Sequence, residues 1–107
     1  MTTKITFTYP TAMALAAIGD GHRYGFDIMD ATGLPDGTVY PILRRLEGRG
    51  YLAGKWEDDD VAFREGRPAR RYYELTRAGD DALRAALVKY PRLSELFPEA
   101  GRLAASA

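Results

Sequence analysis

Between Leu34 and Gly50 the chain carries the pattern that most restricts its fold. Val39, Ile42, Leu43 and Leu46 recur at i, i+3, i+4 and i+7, bounded by Leu34-Pro35-Asp36-Gly37 and Gly48-Arg49-Gly50. Apolar groups at this spacing form one stripe along an α-helix, and other elements must cover it. A helix is therefore expected over residues 36–48. At about 100° per residue, Thr38, Pro41, Arg44 and Arg45 fall away from the stripe, so this helix keeps a face free for a partner. Pro41 is tolerable near the first turn, where few intrahelical N–H bonds exist to lose.

The flanking segments supply the cover. Residues 10–18 are rich in good helix formers, open on Pro10 and stop at Gly19-Asp20-Gly21, which predicts a first helix. Tyr24, Ile28 and Ala31 at i, i+4, i+7 predict a second, short helix from about residue 24 to 32, ended by Gly33. Segments 51–56 and 70–76 carry strand-type residues and predict two antiparallel strands with a long tip containing Gly66 and Pro68. A last helix is expected from Arg77 to Tyr90, where Pro91 kinks or ends it; Leu93, Leu96 and Phe97 continue the apolar pattern. The expected fold class is mainly α with a small β-hairpin. Residues 1–76 form a winged helix-turn-helix unit, 77–100 a C-terminal dimerisation helix and extension, and 101–107 a frayed tail.

Charge narrows the function. Fifteen basic and fifteen acidic residues cancel in the 107-residue chain, so net charge does not point to a nucleic acid. Their distribution does: nine cations lie between residues 44 and 77, while Glu57-Asp58-Asp59-Asp60 gathers four acids together. The cations share a face if the acidic run projects elsewhere. With no cysteine and one histidine, no thiolate or His-rich metal site is expected, and no cofactor is implied. The Asp58–Asp60 run lacks the spaced ligands of a calcium loop, and His22 lacks a nucleophile and orienter, so an enzyme is not expected. Met1-Thr2-Thr3-Lys4 lacks the long apolar run of a secretory signal, and no stretch approaches the roughly 20 apolar residues of a membrane span; a cytoplasmic address is expected.

A helix with an outward cationic face, followed by a hairpin with a basic tip, suits duplex DNA. The helix fits the major groove, where arginine reaches guanine edges or phosphates, and the hairpin clamps the adjoining backbone. Thr38, Tyr40, Pro41, Arg44 and Arg45 are the candidate contacts from the helix, and Arg67, Arg70 and Arg71 those from the wing. Because neighbours in a strand point to opposite faces, Arg70 and Arg71 cannot both face DNA.

The sequence resembles the PadR-like transcriptional regulators in Tyr24-Gly25-Phe26-Asp27-Ile28, in the stretch from Thr32 to Glu47, and in the stretch from Gly66 to Gly79. The resemblance implies repression of a nearby promoter, relieved by a small-molecule effector or another signal. It also implies a homodimer joined largely through the C-terminal helix, with the first helix contributing. Leu83, Leu87 and Tyr90, at i, i+4 and i+7, are the candidate dimerisation row, and Trp56, Tyr90 and Phe97 the candidate ligand-lining aromatics. The expected partners are a palindromic double-stranded operator and a second copy of the chain. Glu57 to Glu65 is longer and more acidic than a compact basic wing, and the large extra domain of longer family members is missing. The alternative left open by the neutral charge and acidic wing is a protein-interaction winged helix with little DNA affinity.

Overall fold

The stripe beneath the third helix is covered as its spacing requires. In the computed structural model, which describes residues 7–105, the chain runs α1 (Tyr9–Gly19), α2 (Gly25–Thr32), α3 (Asp36–Gly48), β1 (Leu52–Trp56), α4 (Asp59–Arg64), β2 (Arg71–Leu75), α5 (Arg77–Lys89), α6 (Leu93–Leu96) and α7 (Pro98–Ala105). The Met1-Thr2-Thr3-Lys4 segment and the last two residues of the expected tail lie outside the described residues. Val39, Ile42, Leu43 and Leu46 are all buried, in one core with Leu15, Ile28, Leu83 and Leu93. The helix α1 is nearly all small or apolar and buried from Ala14 to Gly19. It packs against α2, α3, α5 and α7 and is the centre around which the others are arranged.

The helix-turn-helix is closed by Gly33, whose φ of 75° ends α2 in the left-handed region and whose N–H reaches the Met29 carbonyl at 2.8 Å. Pro35, two residues later, is the N-cap of α3. The hairpin pairs Leu52 with Leu75, Gly54 with Tyr73 and Trp56 with Arg71, so these six side-chain positions share one face. Leu52 and Tyr73 bury that face against the helices. The Tyr73 N–H donates to the Arg23 carbonyl at 2.9 Å, which ties the wing to the start of α2.

Three elements depart from expectation. The wing connection contains α4, a short helix with acids in its first turn and Arg64 in its last, the arrangement that the helix dipole favours. Ala62 tucks inward at 5% exposure, so this stretch is folded where the sequence suggested an acidic loop. Leu83 and Leu87, expected at a dimer contact, are 1% and 8% exposed in the chain's own core. Their row faces α1 and the C-terminal segment, which supply the cover that a partner chain was expected to provide. Residues 101–105, expected to fray, continue α7. Ala100 is fully buried, and the Arg84 Nε donates to the Ala104 carbonyl at 3.3 Å.

One core therefore runs through both the winged unit and the C-terminal segment. Among the described residues no helix is long and apolar enough to cross a membrane. Replacing Leu83 by Ala is expected to lower the unfolding free energy by about 2–5 kcal/mol, as for other fully buried leucines. Urea denaturation measures it; a loss below about 0.5 kcal/mol would put Leu83 outside the core.

Candidate nucleic-acid interface

The geometry of α3 follows from its buried stripe. With Val39, Ile42, Leu43 and Leu46 turned inward, Tyr40, Pro41, Arg44 and Arg45 are exposed and Thr38 is half-buried. No hydrogen bond or ion pair engages the side chain of Arg44 or Arg45 among the described residues. Both guanidiniums are left with all their donors, in the fork geometry that matches guanine or phosphate. Pro41 lies on this outward face, where the missing N–H removes only one helical bond. Tyr40 has two roles in packing and exposure. A Cβ at Gly25 would stand 2.6 Å from its Cε1 and 2.7 Å from its Oη, so the phenol lies directly on the α2 backbone. The residue is still 43% exposed.

The wing divides its cations. Arg67 makes a bidentate pair with Glu57, Nη1 to Oε1 at 2.6 Å and Nη2 to Oε2 at 3.1 Å. Arg71 points to the helix side of the hairpin and donates to Oε2 of Glu47 at 2.5 Å. Lys55 pairs with Glu74 at 3.0 Å. Arg70 is the exposed one of the Arg70–Arg71 pair, with its guanidinium 4.9 Å from the Tyr24 ring centre. Of the candidate wing contacts, Arg67 and Arg71 are thus paired within the chain, with Glu57 and Glu47.

The family model described as "Transcriptional regulator PadR-like family" matches residues 14–85, from within α1 to within α5. The chain belongs to the PadR-like family. Its fold is similar to a PadR family transcription regulator from Clostridium difficile, with a TM-score of 0.67 at 20% identity, covering 86% of this chain and 97% of that one. It is also similar to smu.1704 from Streptococcus mutans, with a TM-score of 0.59 at 28% identity, covering 88% of each chain. No curated protein matches the sequence.

Within this PadR-like chain the three aromatics expected around a ligand are not brought together. Phe97 is 4% exposed in the core, whereas Trp56 is 66% exposed on the wing. Tyr90 sits edge-on to Tyr9 at 5.0 Å and donates its hydroxyl to the Phe7 carbonyl at 3.1 Å. One cation that the sequence pattern did not single out joins the α3 face. Arg49, the C-cap of α3, is exposed and lines a cleft of about 200 Å3 with Arg45, Thr8 and Thr11. Its i+4 spacing from Arg45 was the available signal.

Glu57 is the neck of the wing. Besides Arg67 it accepts the Arg70 N–H at 3.3 Å and the Tyr24 hydroxyl at 3.4 Å. Hydrogen bonding from Arg67 holds its carboxyl down to about 2 from the usual 4.5, against the opposing effect of burial. A carboxyl depressed in the folded state stabilises fully above its unfolded value and loses that contribution as pH falls through the folded one. The clasp is therefore expected to persist from neutral pH through 4.5 and to fail only towards about 2. An NMR titration of the Glu57 carboxyl checks this; a midpoint near 4.5 would mean that the pair is not formed in solution.

Proposed function

We propose that this protein is a cytoplasmic, non-enzymatic transcriptional regulator that reads double-stranded DNA in a sequence-specific manner through α3. The observation that carries the proposal is the pair Arg44 and Arg45, exposed and without acid partners among the described residues, on a helix whose opposite face is fixed in the core. Arginine in this position bonds guanine O6 and N7 in the major groove, and Thr38 and Tyr40 offer hydroxyls to phosphates near the helix start. Of Arg67, Arg70 and Arg71, Arg70 is the one whose guanidinium makes no ion pair among the described residues, which supports a backbone contact there. Membership of the PadR-like family supports a regulatory role.

The same reading includes repression of a nearby promoter by a homodimer on a palindromic operator, with release by a small-molecule effector. Two-fold pairing sets two reading helices in successive major grooves, about 34–36 Å apart. The apolar side chains that the C-terminal helices leave exposed, Val88 at 80% and Leu96 at 53%, supply candidate contact area in place of the buried Leu83 and Leu87.

Alanine at Arg44 or Arg45 tests the assignment. A base-reading arginine is expected to lose about 1–3 kcal/mol of operator affinity on truncation and to relax preference at one base pair. A phosphate-binding arginine weakens all sequences alike and lowers the salt slope by about one. Fluorescence anisotropy over a salt series separates the two, and unchanged affinity in both variants would remove α3 as the reader.

A further inference from the structure

The reading helix and the wing are joined by one side-chain ion pair, and that pair sits where a side chain has been omitted to admit it. Glu47 lies one turn beyond Arg44 on α3, and Arg71 opens β2. Each is about one-third exposed. Their contact crosses the backbone of β1 at Gly54. A Cβ there would stand 2.5 Å from Arg71 Nη2 and 2.6 Å from Glu47 Oε2, so even alanine would occupy the space of the pair. The Arg71 guanidinium is bracketed by aromatic rings on the same hairpin face, 5.6 Å from the centre of Trp56 and 6.0 Å from that of Tyr73. Trp56 is its register partner across the hairpin. Among the described residues, no other hydrogen bond or ion pair joins an α3 side chain to a side chain of the hairpin.

Resting on the assignment of α3 as the reader, we propose that the Glu47–Arg71 pair over Gly54 is a positioning element that sets the wing relative to the reading helix. It acts in two ways. A planar guanidinium held on one side by a carboxylate and flanked by two rings has a defined direction, so β2 is held at a defined place along α3. The pair also neutralises Glu47, which would otherwise set a free carboxylate one turn from Arg44 on a helix that meets phosphates. Arg71 is then a positioning residue that touches α3 and not DNA.

The test compares wild type with R71Q, E47Q, E47Q/R71Q and G54A, the last of which leaves both charges present and requires the ends of both side chains to shift. The probe is a duplex recovered by the wild type from a random library, with amide hydrogen exchange measured on each free protein. Positioning predicts that R71Q and G54A each weaken duplex binding by about three- to tenfold, that the R71Q effect vanishes in the E47Q background, and that the salt slope is the same in E47Q/R71Q as in E47Q. It also predicts faster exchange in β1 and β2 of R71Q and G54A, with α1 and α5 unaltered. A loss from R71Q that is the same with Glu or Gln at 47, with a slope lower by about one, would make Arg71 a phosphate contact and overturn the proposal. Unaltered strand exchange in both R71Q and G54A would overturn it as well. If the wild type recovers no duplex, the DNA-reading assignment fails, while the exchange data still decide whether the pair holds the wing.

Discussion

Burial of Val39, Ile42, Leu43 and Leu46 against Leu15 and Ile28 sets the direction of every other side chain on α3. A helix with four inward positions on one stripe has no rotational freedom left, since turning it by one residue would expose leucines and bury arginines. The outward placement of Arg44 and Arg45 follows from that constraint and requires no contact of their own. Tyr40 extends the same constraint to α2, because its ring occupies the space above Gly25. The two helices of the helix-turn-helix are thereby held in one relative position, and the proposed DNA contacts are carried on the rigid part of the molecule.

Charge is arranged by pairing and not by composition. A formally neutral chain leaves the end of α3 cationic because the acids nearest to its arginines and to the wing neck are already paired. Glu47 is taken by Arg71, and Glu57 by Arg67. Both pairs are partly buried, and the Arg67–Glu57 pair is bidentate, which places it above the usual exposed surface pair in persistence. Arg44, Arg45 and Arg49 have no such partner among the described residues. The local field at the end of α3 is therefore positive although the sum over the chain is zero. Three further acids of the wing, Asp58–Asp60, lie at the start of α4, where a helix N-terminus accommodates them, and Glu74 is paired with Lys55.

Periodicity carried most of the fold. The bounds of α3 were legible because four apolar residues and two glycine-bearing stops left no alternative register, and β1 and β2 because strand-type residues fill both segments with Gly66 and Pro68 between them. The turn into α4 was not legible: Asp58-Asp59-Asp60 reads equally as a solvated loop, and only the burial of Ala62 distinguishes a short helix from one. Leu83 and Leu87 illustrate a second limit. An apolar row on a helix states that something covers it, but not whether the cover is a partner chain or, as here, α1 and the segment after Pro91. The wing arginines show a third, since a cation in sequence carries no mark of the acid that folding brings to it. Strand alternation did separate Arg70 from Arg71, and the register puts Arg71 on the helix side.

The central claim is that α3 presents Arg44 and Arg45 to the edges of bases. Selection of bound duplexes from a random DNA library tests it most directly, because the protein itself chooses the sequence it binds. The account predicts recovery of a two-fold symmetric motif with half-sites about ten base pairs apart, each holding a guanine whose preference is lost when Arg44 or Arg45 becomes alanine. A library that returns no enriched motif, or a motif unchanged in both alanine variants, would contradict it.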